Sequence, residues 1–200
     1  MLKNTRIKAV QAVSSDNVAY VLRDKDGNIK PIFQENLLTK FLLKQGFLSP
    51  RWILSPYAFL IAPFLGSYAG MKVIGNGVPT VGKALIAGRL NASGAPAAAD
   101  YIAVGTGTNA FAAGDTTLQT ETVGSGLTRA QGTASLVTTT TTNDTAQVLK
   151  SFTVTGSVAV TESGVFNASS GGTLLCRQVF SAINVVNGDT LQITWKVAFA

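Results

Sequence analysis

TESGVFNASSGGTLLCRQVFSAINVVNGDTLQITWKVAF, residues 161–199, decides the fold. Its last run alternates: Leu191, Ile193, Trp195, Val197 and Phe199 fall on one face, and Gln192, Thr194, Lys196 and small Ala198 on the other. A period of two over nine residues is the pattern of a half-buried strand. Asn187-Gly188-Asp189 just before it is turn chemistry, and Ser169-Ser170-Gly171-Gly172 separates two further strand-like runs, at 165–166 and 174–180. The stretch therefore reads as β-hairpins with one apolar face and carries no catalytic constellation.

Working upstream, almost everything from Asp100 onward is strand and turn. Residues 101–104 read as a strand, followed by Gly105-Thr106-Gly107-Thr108. Residues 127–142 read as a long Thr-rich strand or pair of strands, since β-branched Thr suits a pleated surface. Asn143-Asp144 turns the chain. Residues 147–160 then place Phe152, Val154, Val158 and Val160 on one face. Regularly spaced short strands with turn signals indicate a mainly β fold, an antiparallel β-sandwich or jelly roll over residues 100–200.

The first half is more mixed. Residues 7–13 and 18–22 read as short strands. Asp24-Lys25-Asp26-Gly27-Asn28 is a turn, and 29–33 is the returning strand, with Pro31 placing it at an edge. Residues 34–45 carry Leu37, Leu38, Phe41 and Leu42 at helical spacing before Gly46. Residues 52–71 hold no charge, which by length and charge is a transmembrane pattern. Pro56 and Pro63 would break a continuous helix twice, so the segment reads instead as an irregular apolar arm buried against partners. Residues 80–91 read as a helix capped by Thr80, with Val81, Leu85, Ile86 and Leu90 on one side. Small residues at 92–99 place a domain boundary there. The expected organisation is an N-terminal mixed α/β apolar anchoring arm, 1–99, and a β-domain, 100–200.

Composition narrows the function. Hydrophobic residues make up 46% and charged residues 13%, where a globular domain carries about a quarter charged. So neutral a surface implies burial against partners. The net charge of +6 divides unevenly: residues 1–99 hold twelve Lys/Arg and four Asp/Glu, and 100–200 hold four and six. The basic residues are scattered, with no stripe, which argues against specific nucleic-acid binding. One cysteine, Cys176, allows no intrachain disulfide and suits a reducing compartment. The absence of histidine removes the commonest general base and metal ligand. The first residues do not read as a signal peptide.

Apparent motifs resolve into structure. Asp24, Asp26 and Gly27 lack calcium-loop spacing, because the glycine stands at the fourth position and not the sixth. Gly105 and Gly107 lack the third glycine of a dinucleotide loop and the Lys-Ser/Thr of a phosphate loop, so they read as a turn. Cys176 reads as a small core residue. The second-half acids, Asp100, Asp115, Glu121, Asp144, Glu162 and Asp189, are dispersed beside turns and single out no carboxylate pair. Glu162 is expected to bond backbone or an arginine, Arg129 or Arg177, and so to fix a corner. No catalytic, cofactor-binding or metal-binding residue is assigned.

The ordered series GKALIAGRLN, YIAVGTGTNAFAAGDTTLQTE, an arginine, VTESGVFN and GDTLQITWKVAF, spread over residues 80–199, resembles a β-rich module of tailed-bacteriophage structural proteins. The resemblance implies a virion component without enzymatic activity, assembled in the host cytoplasm. A capsid decoration or cement protein that binds the major capsid protein as a homo-oligomer, such as a trimer, is the first expectation. A tail, baseplate or fibre-adaptor subunit is the alternative. A membrane-active ejection protein using residues 52–71 and a carbohydrate-binding module are weaker alternatives. No cofactor is implied.

Overall fold

The alternation that marks residues 191–199 as a strand also dictates what must lie beside it. The large apolar side chains at 191, 193, 195 and 197 need a facing layer, and the backbone needs neighbours on both edges. A computed structural model supplies both; it describes residues 17–35, 66–75, 77–91, 94 and 96–199. The chain is mainly β, with antiparallel sheets and one short helix among the described residues.

In chain order the elements are β1 (Asn17–Arg23), β2 (Ile29–Lys30), β3 (Ile32–Glu35), β4 (Gly66–Ala69), β5 (Lys72–Gly75), α1 (Thr80–Asn91), β6 (Tyr101–Gly105), β7 (Ala130–Gln131), β8 (Thr133–Val137), β9 (Thr145–Thr153), β10 (Val158–Phe166), β11 (Leu174–Val185) and β12 (Thr190–Ala198). A six-stranded sheet runs β2-β1-β12-β9-β8, with β5 also paired to β1. A four-stranded sheet runs β11-β10-β6-β7, and β3 pairs with β4. β12 is central: Asn17 to Arg23 lie opposite Lys196 to Thr190 on one side, and Thr145 to Thr153 opposite Ala198 to Thr190 on the other. The six-stranded sheet thus crosses the 99/100 point, because β1, β2 and β5 belong to it.

Both sheets contribute to one core. Val18, Tyr20, Leu22, Phe152, Leu191, Ile193 and Trp195 come from the first, and Ile102, Val104, Val160, Val165, Cys176, Phe180 and Ile183 from the second. Tyr20 and Phe180 meet with ring centroids 4.3 Å apart. Trp195 Nε1 donates to Ser163 Oγ at 3.2 Å, and Ser163 donates on to Ala103 O. Burial of each large apolar side chain contributes about 1.5–3 kcal/mol.

Several expectations hold and several change. β1, β6, β12, the turn at 24–28 and the helix over 80–91 stand where the residues put them. Gly27 and Gly188 take φ of +82° and +90°, as their turns require. The returning strand is split at Pro31: β2 bonds β1 and β3 bonds β4, because proline offers no N–H to continue a ladder. The helix starts with Lys83 N donating to Pro79 O, so Thr80 is its first helical residue and not its cap; Thr80 N donates to Ala113 O. The run 147–160 is two strands in different sheets, joined by a turn in which Val154 N and Thr155 N donate to Asp189 O and Ser125 O. Residues 138–142 are a loop and no strand, because the Asp144 carboxylate captures the N–H groups of Thr139, Thr140 and Thr141 at 2.8, 2.7 and 2.7 Å.

The strand expected over 7–13 and the helix from residue 36 onward lie outside the described residues. Gln34 and Glu35, placed in that helix above, end β3 instead. Of the apolar arm over 52–71, residues 52–65 lie outside the described residues, and Gly66–Ala69 form β4. No helix among the described residues is long and apolar enough to cross a membrane.

Candidate functional site

β10 breaks the rule that one strand face is wet, and the break builds the site. Its pairing with β11 slips between Val160 and Glu162, where β11 carries extra residues. Such an irregularity re-aims the side chains beyond it. Val160 points into the shared core before the slip, and Val165 does so after it, with Ser163 reaching Trp195. Glu162, Gly164 and Phe166 are turned to the other face. That face is covered by the 106–122 loop, so β10 is buried on both sides from Val160 to Phe166.

Glu162, fully buried, organises the loop. Its Oε1 accepts from Gly107 N at 3.1 Å and Thr120 N at 2.7 Å; its Oε2 accepts from Gln119 N at 3.0 Å. Arg177, 2% exposed, donates to Oε2 through Nε at 2.9 Å and Nη2 at 2.8 Å. The guanidinium also donates through Nη1 to Asp115 Oδ2 at 2.8 Å and through Nη2 to Asn109 O at 3.1 Å. Thr161 Oγ1 donates to Gly107 O at 2.7 Å, and Gln119 Oε1 accepts from Thr108 N and Asn109 N at 2.8 Å each. Of the two arginines expected beside Glu162, Arg177 makes the bond. Gly107 has a role beyond the turn, because a Cβ there would overlap the Glu162 carboxylate and the Gln119 side chain.

Arg129 closes the other end of the same loop. It pairs bidentately with Glu121 through Nε, at 2.9 Å, and Nη2. It also donates to Ala168 O and Gly171 O, and lies 3.6 Å over the Phe166 ring. Phe166 joins Ala103, Leu118 and Leu174 in a second apolar cluster under the loop. Residues that stand far apart in the sequence (Gly107, Asp115, Leu118, Glu121, Arg129, Glu162 and Arg177) are brought together here. Asp115, Gln119 and Asn109 had no signal of their own; only the GDTTLQTE run hinted that the loop was built.

The other acids also hold backbone. Asp189, 3% exposed, accepts from Val186 N and pairs with Lys30 Nζ at 2.7 Å, tying β2 to the turn before β12. Asp24 Oδ1 accepts from Asp26 N and Asn28 N at 2.9 Å each, and these bonds lower its pKa. The three threonine N–H groups hold Asp144 well below the usual carboxylate range. Asp100 accepts from Gln131 Nε2 at 2.8 Å. Among the described residues, no three His, Cys, Asp or Glu side chains form a metal-binding group.

Burial pushes the Tyr20 hydroxyl well above its ordinary pKa of 10.0. The hydroxyl approaches Ser163 but completes no hydrogen bond among the described residues. Cys176 is buried in the core, as expected.

Concavities among the described residues include an apolar one and a polar one. One, about 540 Å³, is an apolar groove between α1 and the β8-β9-β12 edge, lined by Leu85, Leu90, Leu136, Val148, Val197 and Phe199. Leu90, Leu136 and Phe199 are 83%, 64% and 60% exposed. The other, about 390 Å³, is a polar cleft at Asp100, Tyr101, Gln131, Asn167 and Ser169.

Compared with known proteins, the chain matches no family model, no curated protein and no solved structure.

Proposed function

We propose that the protein is a non-enzymatic structural component of a tailed-bacteriophage virion, a capsid decoration or cement protein that binds across capsid subunits. In this reading the two sheets form a jelly-roll-like antiparallel sandwich. Residues 1–99 supply the anchoring arm, stitched to the sandwich through β1, β2 and β5. The observation that carries the reading is the use made of the charged residues. Glu162, Arg177, Asp115, Glu121 and Arg129 are spent inside the protein on fixing one loop. The outer surface meanwhile presents Leu90, Leu136, Val123 and Phe199. A cement protein acts by burying apolar area across seams, at about 25 cal/mol per Å², and needs no free acid, base or nucleophile. Motif residues of the phage resemblance, among them Gly107, Asp115, Glu121, Arg129 and Glu162, build the loop network.

The test is quantitative mass spectrometry of purified particles from the phage that encodes the chain. A copy number that scales with the capsid subunits supports the decoration role. A few copies per particle would move the protein to the tail or baseplate. Absence from the particle would overturn the virion reading.

A further inference from the structure

We propose that the protein forms a two-fold symmetric dimer in which β8 pairs antiparallel with β8 of a second copy. β8 is the outer strand of the six-stranded sheet: β9 bonds one side, and no described strand covers the other. Its backbone groups on that side form a template for another strand. The side chains are open as well, with Thr133 to Leu136 exposed along the strand.

Among the described residues the edges at β2, β7 and β11 are protected and this one is not. β2 is two residues long and ends at Pro31. β7 is also two residues. β11 receives α1 and a bridge from Gly77 to Arg177. Residues 130–143 contain no charge and no proline, and the β8–β9 register runs without a bulge.

Two observations select a second copy as the occupant. The first is charge. Like charges placed directly opposite destabilise a strand pair, and residues 130–143 bring none to the seam. An uncharged edge lets two copies meet without that penalty, and it offers an acidic or basic partner nothing to bind. The second is side-chain size. Within the sheet, Ala134 lies opposite Val148 and Leu136 opposite Ala146, small against large. Antiparallel self-pairing centred on Ser135 sets Ala134 opposite the second copy's Leu136, and the reverse, which continues that pattern. Each Leu136 is then covered where it now stands 64% exposed at the mouth of the groove. The same surface serves both partners, as a closed two-fold contact requires. This dimer does not depend on the virion reading.

The test uses the full chain. At the two-fold centre the Ser135 Cα atoms stand about 4.5–5.5 Å apart, within the roughly 4.4–6.8 Å that a disulfide spans. Under mild oxidation, Ser135→Cys is expected to give a covalent dimer. Ser151→Cys, exposed one strand away on β9, is the control expected to stay monomeric on a denaturing gel. Cys176 is buried and does not compete. In sedimentation equilibrium the unaltered protein is expected to be a dimer and Leu136→Lys to associate at least tenfold more weakly. Position 136 is exposed, so folding should survive, and circular dichroism checks it. A monomer at every concentration, a trimer, or Ser135→Cys crosslinking no better than the control would each overturn the proposal, whatever the fate of Leu136→Lys.

Discussion

At the scale of single residues, Glu162 shows how a buried charge is made tolerable. It accepts three backbone N–H groups and two guanidinium bonds with no solvent contact. Swapping a buried ion pair as a unit for apolar residues is often neutral, but removing one partner costs about 3–5 kcal/mol. Glu162→Gln keeps the shape while turning an NH₂ toward groups that are all donors. It should lower the unfolding free energy by about 3–5 kcal/mol, read from urea denaturation. Adding Arg177→Met to it should recover part of the loss. A loss below about 1 kcal/mol would show that Glu162 contributes no more than an ordinary hydrogen bond.

Asp144 makes a pH prediction. Its folded pKa is depressed below the ordinary 3.8 by the threonine N–H bonds. A depressed carboxylate stabilises the fold above its unfolded pKa, and that contribution is lost as pH falls through the folded value. The urea midpoint should therefore fall on acidification below about pH 4, and Asp144→Ala should fall less steeply. Parallel acid profiles for the two proteins would remove Asp144 from the explanation. The capture of the threonine amides by this carboxylate is also why the Thr run, strand-like by propensity, is no strand. A side chain's competition for backbone donors leaves no mark in a periodicity.

At the scale of elements, α1 poses a choice between two effects of similar kind. Gly82 sits inside the helix, where alanine would be favoured by about 1 kcal/mol. It also faces β11, and a Cβ there would overlap the Leu175 carbonyl, a backbone atom that cannot swing aside. The clash should win. Gly82→Ala is expected to destabilise by about 1–3 kcal/mol, as overpacking does, while Gly88→Ala in the same helix serves as the control for propensity. Equal stabilisation by both would show that α1 is loosely docked. Strand positions were legible wherever a period of two survived, as in β12 and β1. They were misread where the chain changes sheet, between β9 and β10, because both strands carry apolar residues in phase. The slip at Val160–Glu162 was illegible for a related reason: its cause lies in the extra residues of β11, remote in sequence. Glu162 was visible as a corner-fixing residue through its motif, whereas the covered outer face of β10 was not.

For the whole molecule, the decisive fact is that β12 stands between β1 and β9. The residues beyond 100 look self-sufficient by composition, since they hold most of the strands. Yet Val18, Tyr20 and Leu22 are 0%, 0% and 3% exposed in the shared core. Losing β1 uncovers Trp195 and Ile193 on one flank and strips seven backbone pairings from β12. Three large core side chains at about 1.5–3 kcal/mol each approach the roughly 5–15 kcal/mol by which whole domains are stable. A fragment of residues 100–200 should therefore lack the dispersed amide spectrum and cooperative unfolding of the full chain. Adding a peptide of residues 14–35, which carries β1 and its Asp24–Asn28 turn, should restore dispersion in proportion to its concentration. A fragment that unfolds cooperatively alone, with a midpoint equal to that of the full chain, would show that β1 decorates a sandwich already complete without it.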